Sequence, residues 1–203
     1  MPTAASQTIR MTESSADDTL TIQRVHAGEK DAFATLVRKY EVRVRGYCMT
    51  TLRDAALGED AAQEIFLKAY QGLKAFHGDS AFSSWLYRIT VNHCRDVLRK
   101  ASRRKSESWD AMLEREGETA EARLTGSADA SERFEHAETL RRVLAELPES
   151  HREILLLRES QGLNYEELAS VLGCSLDAVK SRLKRARQEI LSRSRHFLLQ
   201  EDV

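Results

Sequence analysis

The segment 164–188 reads NYEELASVLGCSLDAVKSRLKRARQ, and its residues mark two short helices joined by a tight turn. Asn164 and Glu167 have the spacing of a capping box, in which each side chain accepts a hydrogen bond from a free backbone N–H at the start of the helix. Gly173 predicts the end of the first helix, because glycine enters the left-handed cap conformation without a Cβ penalty, and Ser175 can cap the second. The segment therefore predicts a helix-turn-helix.

The second of these helices has an apolar side and a polar side when its residues are placed at about 100° per residue. The inward side contains Leu176, Val179, Leu183, Ala186 and Ile190. The outward side contains Ser181 and Gln188 at its centre, Asp177, Lys184 and Arg185 beside them, and Lys180, Arg182 and Arg187 on the flanks. Hydrogen-bonding groups between cations are suited to reading base edges and contacting phosphates in a major groove. Basic residues alone favour a solvated helix at the end of a bundle, but caps, turn and basic helix in this order favour DNA binding.

Composition and charge predict an all-α protein with two small helical domains. The 203 residues are 41% hydrophobic and include only two prolines, and long stretches have a helical period. The net charge of −1 is unevenly distributed: residues 88–105 carry seven cations and one acid, and residues 106–138 carry ten acids and three cations. Two basic elements separated by an acidic stretch predict two nucleic-acid contacts joined by a flexible acidic linker.

The distribution of cysteines and apolar residues predicts a soluble cytoplasmic protein. The three cysteines are scattered and give neither a disulfide framework nor a paired metal-ligand spacing. The chain does not open with a secretory signal pattern, and no apolar run approaches the roughly 18 residues of a membrane span. We expect no catalytic residues, no metal and no cofactor.

Shifts in composition along the chain, and glycine and proline residues at the ends of helices, predict the domain boundaries. We expect a loose tail at 1–18, a first domain at 19–100, the acidic linker at 101–137, a second domain at 138–197 and a short tail at 198–203. In the first domain, a helix that starts at Asp31 has an apolar stripe, Gly58 separates it from a helix that begins near Glu59, and a further helix begins near Phe82.

The helix that begins near Phe82 is the second candidate nucleic-acid surface. Arg88, Asn92, Arg95 and Arg99 follow one face at spacings of four and three residues, next to the aromatic residues Phe76, Phe82, Trp85 and Tyr87. Cations that follow a backbone and aromatic rings that accept unstacked bases are the components of a single-strand binding site. Each aromatic residue taken alone is more readily explained as a core residue, but the combination of loop, aromatic rings and cations favours a nucleic-acid surface.

Three segments resemble bacterial RNA polymerase sigma factors of the extracytoplasmic-function (ECF) type. EDAAQEIFLKAY (59–70) resembles the polymerase-binding segment of that family, and FHGDSAFSSWLYRITVNHCRDVLRK (76–100) resembles its promoter-melting and minus-10 segment. LPESHREILLLRESQGLNYEELASVLGCSLDAVKSRLKRAR (147–187) resembles the domain that reads the minus-35 element. Where the family often has Gly-Thr at the start of the recognition helix, this chain has Asp177-Ala178.

The resemblance implies partners and roles. The protein would bind core RNA polymerase at two places, the β′ clamp helices and the β flap. The residues that would contact the clamp helices are Asp60, Gln63, Glu64 and Phe66. The minus-10 DNA would be contacted by Phe76, Phe82, Trp85, Arg88, Asn92, Arg95 and Arg99. The minus-35 DNA would be contacted by Asp177, Lys180, Ser181, Arg182, Lys184, Arg185 and Arg187. The linker would thread toward the RNA exit path, and an anti-sigma factor, often membrane-bound in this family, would hold the protein inactive until a stress.

Two other classes of protein remain as alternatives. A stand-alone helix-turn-helix regulator would bind duplex DNA without polymerase. An enzyme or metalloprotein would use Cys48, His93, Cys94, His151 or Cys174, but only His93 and Cys94 are adjacent, and single His or Cys residues in helical cores usually serve packing.

Overall fold

The residues that the structure describes form helices, and within each of the two units these are joined by turns. A computed structural model describes residues 16–109, 140 and 142–200, with side chains described at 16–103, 140 and 142–194, and these residues contain no strand. The all-α fold with two helical units is confirmed. The elements are α1 (16–26), a 3₁₀ turn (Lys30–Ala32), α2 (Phe33–Leu52), α3 (Ala55–Gly72), a 3₁₀ turn (Leu73–Ala75), α4 (Phe82–Trp109), α5 (142–146), α6 (Glu149–Leu155), a π turn (Leu156–Ser160), α7 (Tyr165–Leu172) and α8 (Leu176–Gln200).

The N-terminal unit, α1 to α4, buries the apolar stripe predicted on α2. Leu36, Tyr40, Val44, Tyr47 and Cys48 are all buried and face α3 and α4. Helical spacing of three and four residues places them on one side of the helix, so that burying that side removes the whole stripe from water. The stripe forms the core of this unit.

Helix α1 begins inside the stretch 1–18 that was predicted to be a loose tail. Asp18 is buried and accepts a hydrogen bond from Tyr40 Oη at 2.5 Å, and its other carboxylate oxygen pairs with Lys39. A buried carboxylate needs such partners, and here they lie on α2. The first helical turn is therefore fastened to α2, whereas residues 1–15 lie outside the described residues.

Helix α3 begins at Ala55 and not near Glu59, because Asp54 caps it. The side chain of Asp54 accepts a hydrogen bond from the backbone N–H of Leu57 at 2.9 Å. Gly58 is a buried residue of the first turn of α3, where the helix lies directly against Met49 of α2. The glycine that was predicted to separate two helices therefore allows close contact between them.

Helix α4 extends beyond the predicted end of its domain at residue 100. It runs to Trp109, so that the first part of the predicted linker 101–137 is helical. The rest of that linker, and its predicted path toward the RNA exit, lie outside the described residues.

The C-terminal unit, α5 to α8, contains the predicted helix-turn-helix. Asn164 and Glu167 form both bonds of the capping box, at 2.8 and 2.7 Å. Gly173 ends α7 with φ of +64°, and Ser175 Oγ accepts from the N–H of Ala178 at 3.2 Å to cap α8. These local predictions are confirmed.

Helix α8 packs inward through most of its predicted apolar side. Val179, Leu183 and Ala186 are buried and Ile190 is half-buried, but Leu176 is 40% exposed, so the prediction for Leu176 was wrong. As the first residue of the helix, Leu176 lies at the end of the packed surface and is only partly covered. The helix continues to Gln200, past the boundary predicted at 197, and residues 201–203 lie outside the described residues.

Candidate nucleic-acid interface

The outward face of α8 presents polar and cationic side chains to solvent. Lys180, Ser181, Lys184 and Arg185 are exposed. Lys180 has one weak pairing, with Asp177 at 3.4 Å, and neither Lys184 nor Arg185 pairs with an acid among the described side chains. Three of these residues are cations on one helical face, and their charge there is largely uncompensated. This face can bind a polyanion without first breaking strong internal contacts.

The remaining residues predicted to contact the minus-35 DNA are placed differently. Asp177 is exposed in the first turn of α8, where a carboxylate favours the helix dipole. Arg182 is half-buried. Arg187 donates to Glu159 at 2.8 Å, and this contact raises the pKa of its guanidinium. Arg187 is therefore engaged within the unit, unlike Lys184 and Arg185.

The residues of the basic stripe lie along one face of α4, and two of its arginines form hydrogen bonds with the C-terminal unit. Arg88 donates to Ser170 Oγ at 2.6 Å. Arg95 makes a bidentate pair with Glu153, with nitrogen-to-oxygen distances of 2.9 and 2.7 Å. Asn92 is exposed, and Arg99 pairs with Asp96 on its own helix. The stripe is a continuous face, of which α6 and α7 cover a part.

Three of the aromatic residues form a cluster at the start of α4. The ring centroids of Phe76 and Trp85 lie 5.1 Å apart, and Phe82 lies 6.0 Å from Phe76 and 5.7 Å from Trp85. Phe82 is only 3% exposed and belongs to the core, as does Tyr87, whereas Phe76 and Trp85 are half-buried. Phe76 and Trp85 therefore keep part of their aromatic surface accessible to solvent, and the buried ring of Phe82 packs against both.

Helix α3 presents the predicted polymerase-binding face. Asp60, Gln63 and Glu64 are exposed, and Phe66 is half-buried against the core. Leu67, one helical turn from Gln63 and Glu64, is 56% exposed. Sequence reasoning missed this leucine, although its position, seven residues after Asp60, places it on the same face. An apolar side chain among acidic and amide groups is typical of a protein-binding surface.

A buried histidine lies behind this face. Lys68 Nζ donates to His93 Nδ1 at 2.6 Å, and His93 Nε2 lies 3.7 Å from Glu64 Oε2. Because the ammonium of Lys68 can only donate, Nδ1 is an acceptor and the ring proton lies on Nε2, toward Glu64. Burial, and then the charge of Lys68, lower the pKa of His93. The imidazole is therefore neutral near pH 7 and connects α4 to the exposed face of α3.

The contacts between the two units were not predicted from the sequence. Tyr87 Oη donates to Gln161 Oε1 at 2.7 Å, both side chains being buried, and Ser84 Oγ donates to Glu167 Oε1 at 3.3 Å. Glu153, the partner of Arg95, is a carboxylate with only 6% of its side chain exposed. A charged residue within the apolar run EILLL (153–157) was the available signal for a buried ion pair.

The three thiols belong to the core or pack against it, whereas the imidazoles of His93 and His151 make hydrogen bonds. Cys48 and Cys94 are buried with their Sγ atoms 3.7 Å apart, and the hydrogen bond between them, followed by burial, raises the pKa of the Cys94 thiol. His151 bonds Glu189 at 2.6 Å. Within the described ranges, no group of three or more His, Cys, Asp or Glu residues is arranged to hold a metal ion. None of the helices in these ranges has the length and apolar content for a bilayer crossing.

Comparison with known proteins matches both units. The family model described as sigma-70 region 2 matches residues 36–104, and the model described as sigma-70, region 4 matches residues 137–190. The RNA polymerase sigma-H factor of Pseudomonas aeruginosa is 40% identical over 173 residues, covering 83% of this chain and 89% of that protein. The ECF RNA polymerase sigma-E factor of Escherichia coli K12 is 36% identical over 184 residues, covering 89% of this chain and 95% of that protein.

Two solved structures share the fold. CnrH, in complex with the cytosolic domain of CnrY, aligns with 92% of this chain and 99% of its own, at 26% identity and a TM-score of 0.66. The sigma factor RpoE of Bartonella quintana, in complex with the anti-sigma factor NepR, aligns with 80% of this chain and 96% of its own, at 24% identity and a TM-score of 0.64. With two family models in the expected order and relatives at 36% and 40% identity, the chain belongs to the extracytoplasmic-function sigma factors, which are transcription initiation factors of bacterial RNA polymerase.

Proposed function

We propose that this sigma factor binds core RNA polymerase through α3, recognises the minus-35 element with α8, and recognises and melts the minus-10 element with α4 and the loop before it. The single observation that carries the promoter assignment is the outward face of α8. There, Lys184 and Arg185 are exposed without an acidic partner among the described side chains, next to the exposed residue Ser181.

Recognition of the minus-35 element depends on this face entering the major groove. The buried row Val179, Leu183 and Ala186 holds α8 against its own unit, so that the opposite side projects outward. Lys and Arg side chains on that side can reach guanine O6 and N7 or the phosphates on either rim, and Ser181 can accept or donate. Because these side chains are already exposed, contact with DNA requires little rearrangement of α8.

Melting of the minus-10 element depends on capturing bases outside the stack. Phe76 and Trp85 are half-buried and supported by Phe82, so their rings are held in place while part of each remains accessible. Stacking of a base on an aromatic side chain contributes about 1–3 kcal/mol. Two such contacts, with Asn92 and Arg99 along the backbone, would favour the single-stranded form of an easily melted promoter.

Binding of core polymerase depends on the exposed side of α3. We assign the β′ clamp helices to Asp60, Gln63 and Glu64, with Leu67 as an apolar anchor at the centre and Phe66 as its support. A partly exposed leucine that becomes buried on binding gains about 25 cal/mol for each Å² removed from water. The β flap is assigned to the C-terminal unit.

Neither DNA-binding surface needs to be strong alone. Carried together on polymerase, two weak sites act at high effective concentration, and their affinities reinforce each other.

Polymerase supplies the catalysis, so the protein itself is not an enzyme and takes no small-molecule substrate. We further propose that the protein is cytoplasmic and that an anti-sigma factor binds it until a stress releases it. The complex of RpoE from Bartonella quintana with the anti-sigma factor NepR supports a partner of this kind.

The test is transcription by purified protein with core polymerase on a fragmented genomic library, followed by alignment of the start sites. We expect a shared pair of elements upstream of those sites. The double substitution Lys184→Ala with Arg185→Ala should abolish initiation at them, whereas Lys30→Ala with Arg38→Ala, two exposed cations of the N-terminal unit, should not. A wild-type protein that neither binds core polymerase nor directs initiation would refute the proposal.

A further inference from the structure

The last residue of α1, His26, contacts the 3₁₀ turn Leu73–Ala75, which leads into the loop before α4. Its Nε2 atom lies 2.9 Å from the backbone carbonyl oxygen of Leu73, 47 positions along the chain. A carbonyl oxygen can only accept a hydrogen bond, so the ring proton lies on Nε2 and His26 is the donor. This bond joins the end of α1 to the end of α3.

The carbonyl group of Leu73 also determines where Phe76 begins. It accepts a second hydrogen bond, from the backbone N–H of Phe76 at 3.0 Å, and this bond closes the turn. The two lone pairs of a carbonyl oxygen allow both bonds at once. The side chain of Leu73 is only 1% exposed, so the core holds one end of this residue and His26 the other. His26 therefore acts on the backbone of Phe76 through one shared acceptor.

The second half-buried ring of the aromatic cluster, Trp85, lies against the start of the same turn. A Cβ atom added at Gly72 would lie 3.2 Å from Cζ2 and 3.6 Å from Cη2 of Trp85, so the backbone of Gly72 runs close beside the indole. The ring centroids of Trp85 and Phe76 are 5.1 Å apart. Because one end of the segment 72–76 borders one ring and its other end carries the second, a shift of the turn would change how the two rings meet.

Helix α1 can hold the turn because α1 is itself fixed to the N-terminal unit. Ile22 belongs to the core, and the buried carboxylate of Asp18 accepts from Tyr40 Oη at 2.5 Å. His26 follows Ile22 by four residues and lies on the same side of α1, at the edge of the core. His26 is an exposed residue, so its replacement removes the bond to the turn and leaves the buried contacts of α1 in place.

We propose that His26 is a positioning residue for the minus-10 element: it holds the turn Leu73–Ala75, and through that turn Phe76, in the arrangement that receives an unstacked base. The inference rests on the proposed function of Phe76. Loss of one hydrogen bond between neutral groups changes an equilibrium by a factor of about 3 to 10. That factor should appear in the capture of the single strand and not in the binding of core polymerase.

The test uses three substitutions in α1 of the full chain, each assembled with core polymerase. His26→Ala removes the donor, whereas His26→Gln keeps an N–H group at a similar distance from the backbone. Gln23→Ala is the matched control, because it shortens an exposed neutral side chain of the same helix. Fluorescence anisotropy measures the affinity of each holoenzyme for a labelled single strand, the nontemplate minus-10 sequence of a promoter mapped as above.

We expect His26→Ala to weaken binding of the strand about 3- to 10-fold, and His26→Gln to stay within about 2-fold of the wild type. Gln23→Ala should match the wild type. All three variants should bind core polymerase with the affinity of the wild type, measured by titration of the labelled sigma factor.

A double-mutant cycle with Phe76→Ala separates positioning from a general structural role. Phe76→Ala alone should weaken binding of the strand about 5-fold or more, because stacking is lost. Adding His26→Ala to that variant should cause almost no further loss, since the ring that His26 positions is already absent. A contribution of His26 that is independent of Phe76 would instead appear in full in the double variant.

The outcomes distinguish this inference from the proposed function. Wild-type affinity in His26→Ala, an equal loss for His26→Ala and His26→Gln, or an additive loss in the double variant would each overturn the positioning role while leaving base capture by Phe76 intact. If Phe76→Ala itself bound the strand as tightly as the wild type, the proposed function of that ring would fail, and the positioning role with it.

Discussion

The contact between α2 and α3 gives a quantitative prediction for Gly58→Ala. A Cβ atom added at Gly58 would lie 2.7 Å from the Cα of Met49, 2.7 Å from its Cγ and 2.8 Å from its backbone nitrogen. Carbon atoms in contact lie about 3.5–4.0 Å apart. The flexible side chain of Met49 can move away, but its backbone can yield only if the two helices separate by most of an ångström.

The expected loss of stability is the difference between two opposing effects. Forcing an extra carbon into a packed contact costs about 1–3 kcal/mol, and replacing glycine by alanine inside a helix returns about 0.8–1.0 kcal/mol. We therefore expect Gly58→Ala to lower the free energy of unfolding of the N-terminal unit by up to about 2 kcal/mol. For a unit of this size, each kcal/mol lowers the Tm by roughly 4–8 °C.

Urea and thermal unfolding followed by far-ultraviolet circular dichroism measure this change. Gly46→Ala is the matched control, since Gly46 lies in α2 and a Cβ there would meet nothing within 4 Å. That substitution should raise the free energy of unfolding by about 0.5–1 kcal/mol. If Gly58→Ala proved as stabilising as Gly46→Ala, the close approach of the two helices would be refuted.

Three further predictions concern single residues. Arg185→Ala should change the free energy of unfolding by less than about 0.5 kcal/mol, but should weaken promoter binding by the holoenzyme and reduce its salt slope by about 1, measured by titration at several salt concentrations. Asn164→Ala should cost about 1 kcal/mol in urea unfolding, because it removes the cap of α7 and leaves Glu167 with half of the capping box. Acidification through about pH 6.5 should lower the free energy of unfolding, since burial and Lys68 hold the pKa of His93 below its unfolded value and the unfolded chain then binds more protons.

Each of these predictions has a control that separates it from a general effect. Arg38→Ala, an exposed arginine of α2, should leave the salt slope unchanged. Asn164→Ser keeps a capping oxygen and should retain most of the stability, so an equal loss for serine and alanine would contradict the role of the cap. His93→Gln should flatten the pH dependence whereas His77→Gln, in the exposed loop before α4, should not; a profile that survives His93→Gln would assign the effect to another group.

The helix-turn-helix could be predicted from sequence because its determinants are local. The capping box, the left-handed glycine and the cap of α8 each act over four residues or fewer, and the structure contains all of them. The division of α8 into a buried row and a cationic face follows equally from the helical period. Family resemblance extended this local information to both units, because the segments 59–70, 76–100 and 147–187 match in order.

Features that depend on distant neighbours were predicted less well. Gly58 was interpreted from its own conformational freedom, whereas its burial is decided by Met49 on another helix. Leu176 fits the apolar period of α8 but remains exposed, because the period does not show where the partner surface ends.

Only the tertiary structure decided which cations are available. Arg95 and Arg185 are indistinguishable as members of basic helical stripes, yet Arg95 meets a buried carboxylate 58 positions away and Arg185 meets no acid among the described side chains. Tyr87 and Gln161 meet across 74 positions. Helical period and capping determine which way a side chain points from its own helix. What it meets there depends on how separate helices pack, and that packing decides which cations of the two basic faces have acidic partners.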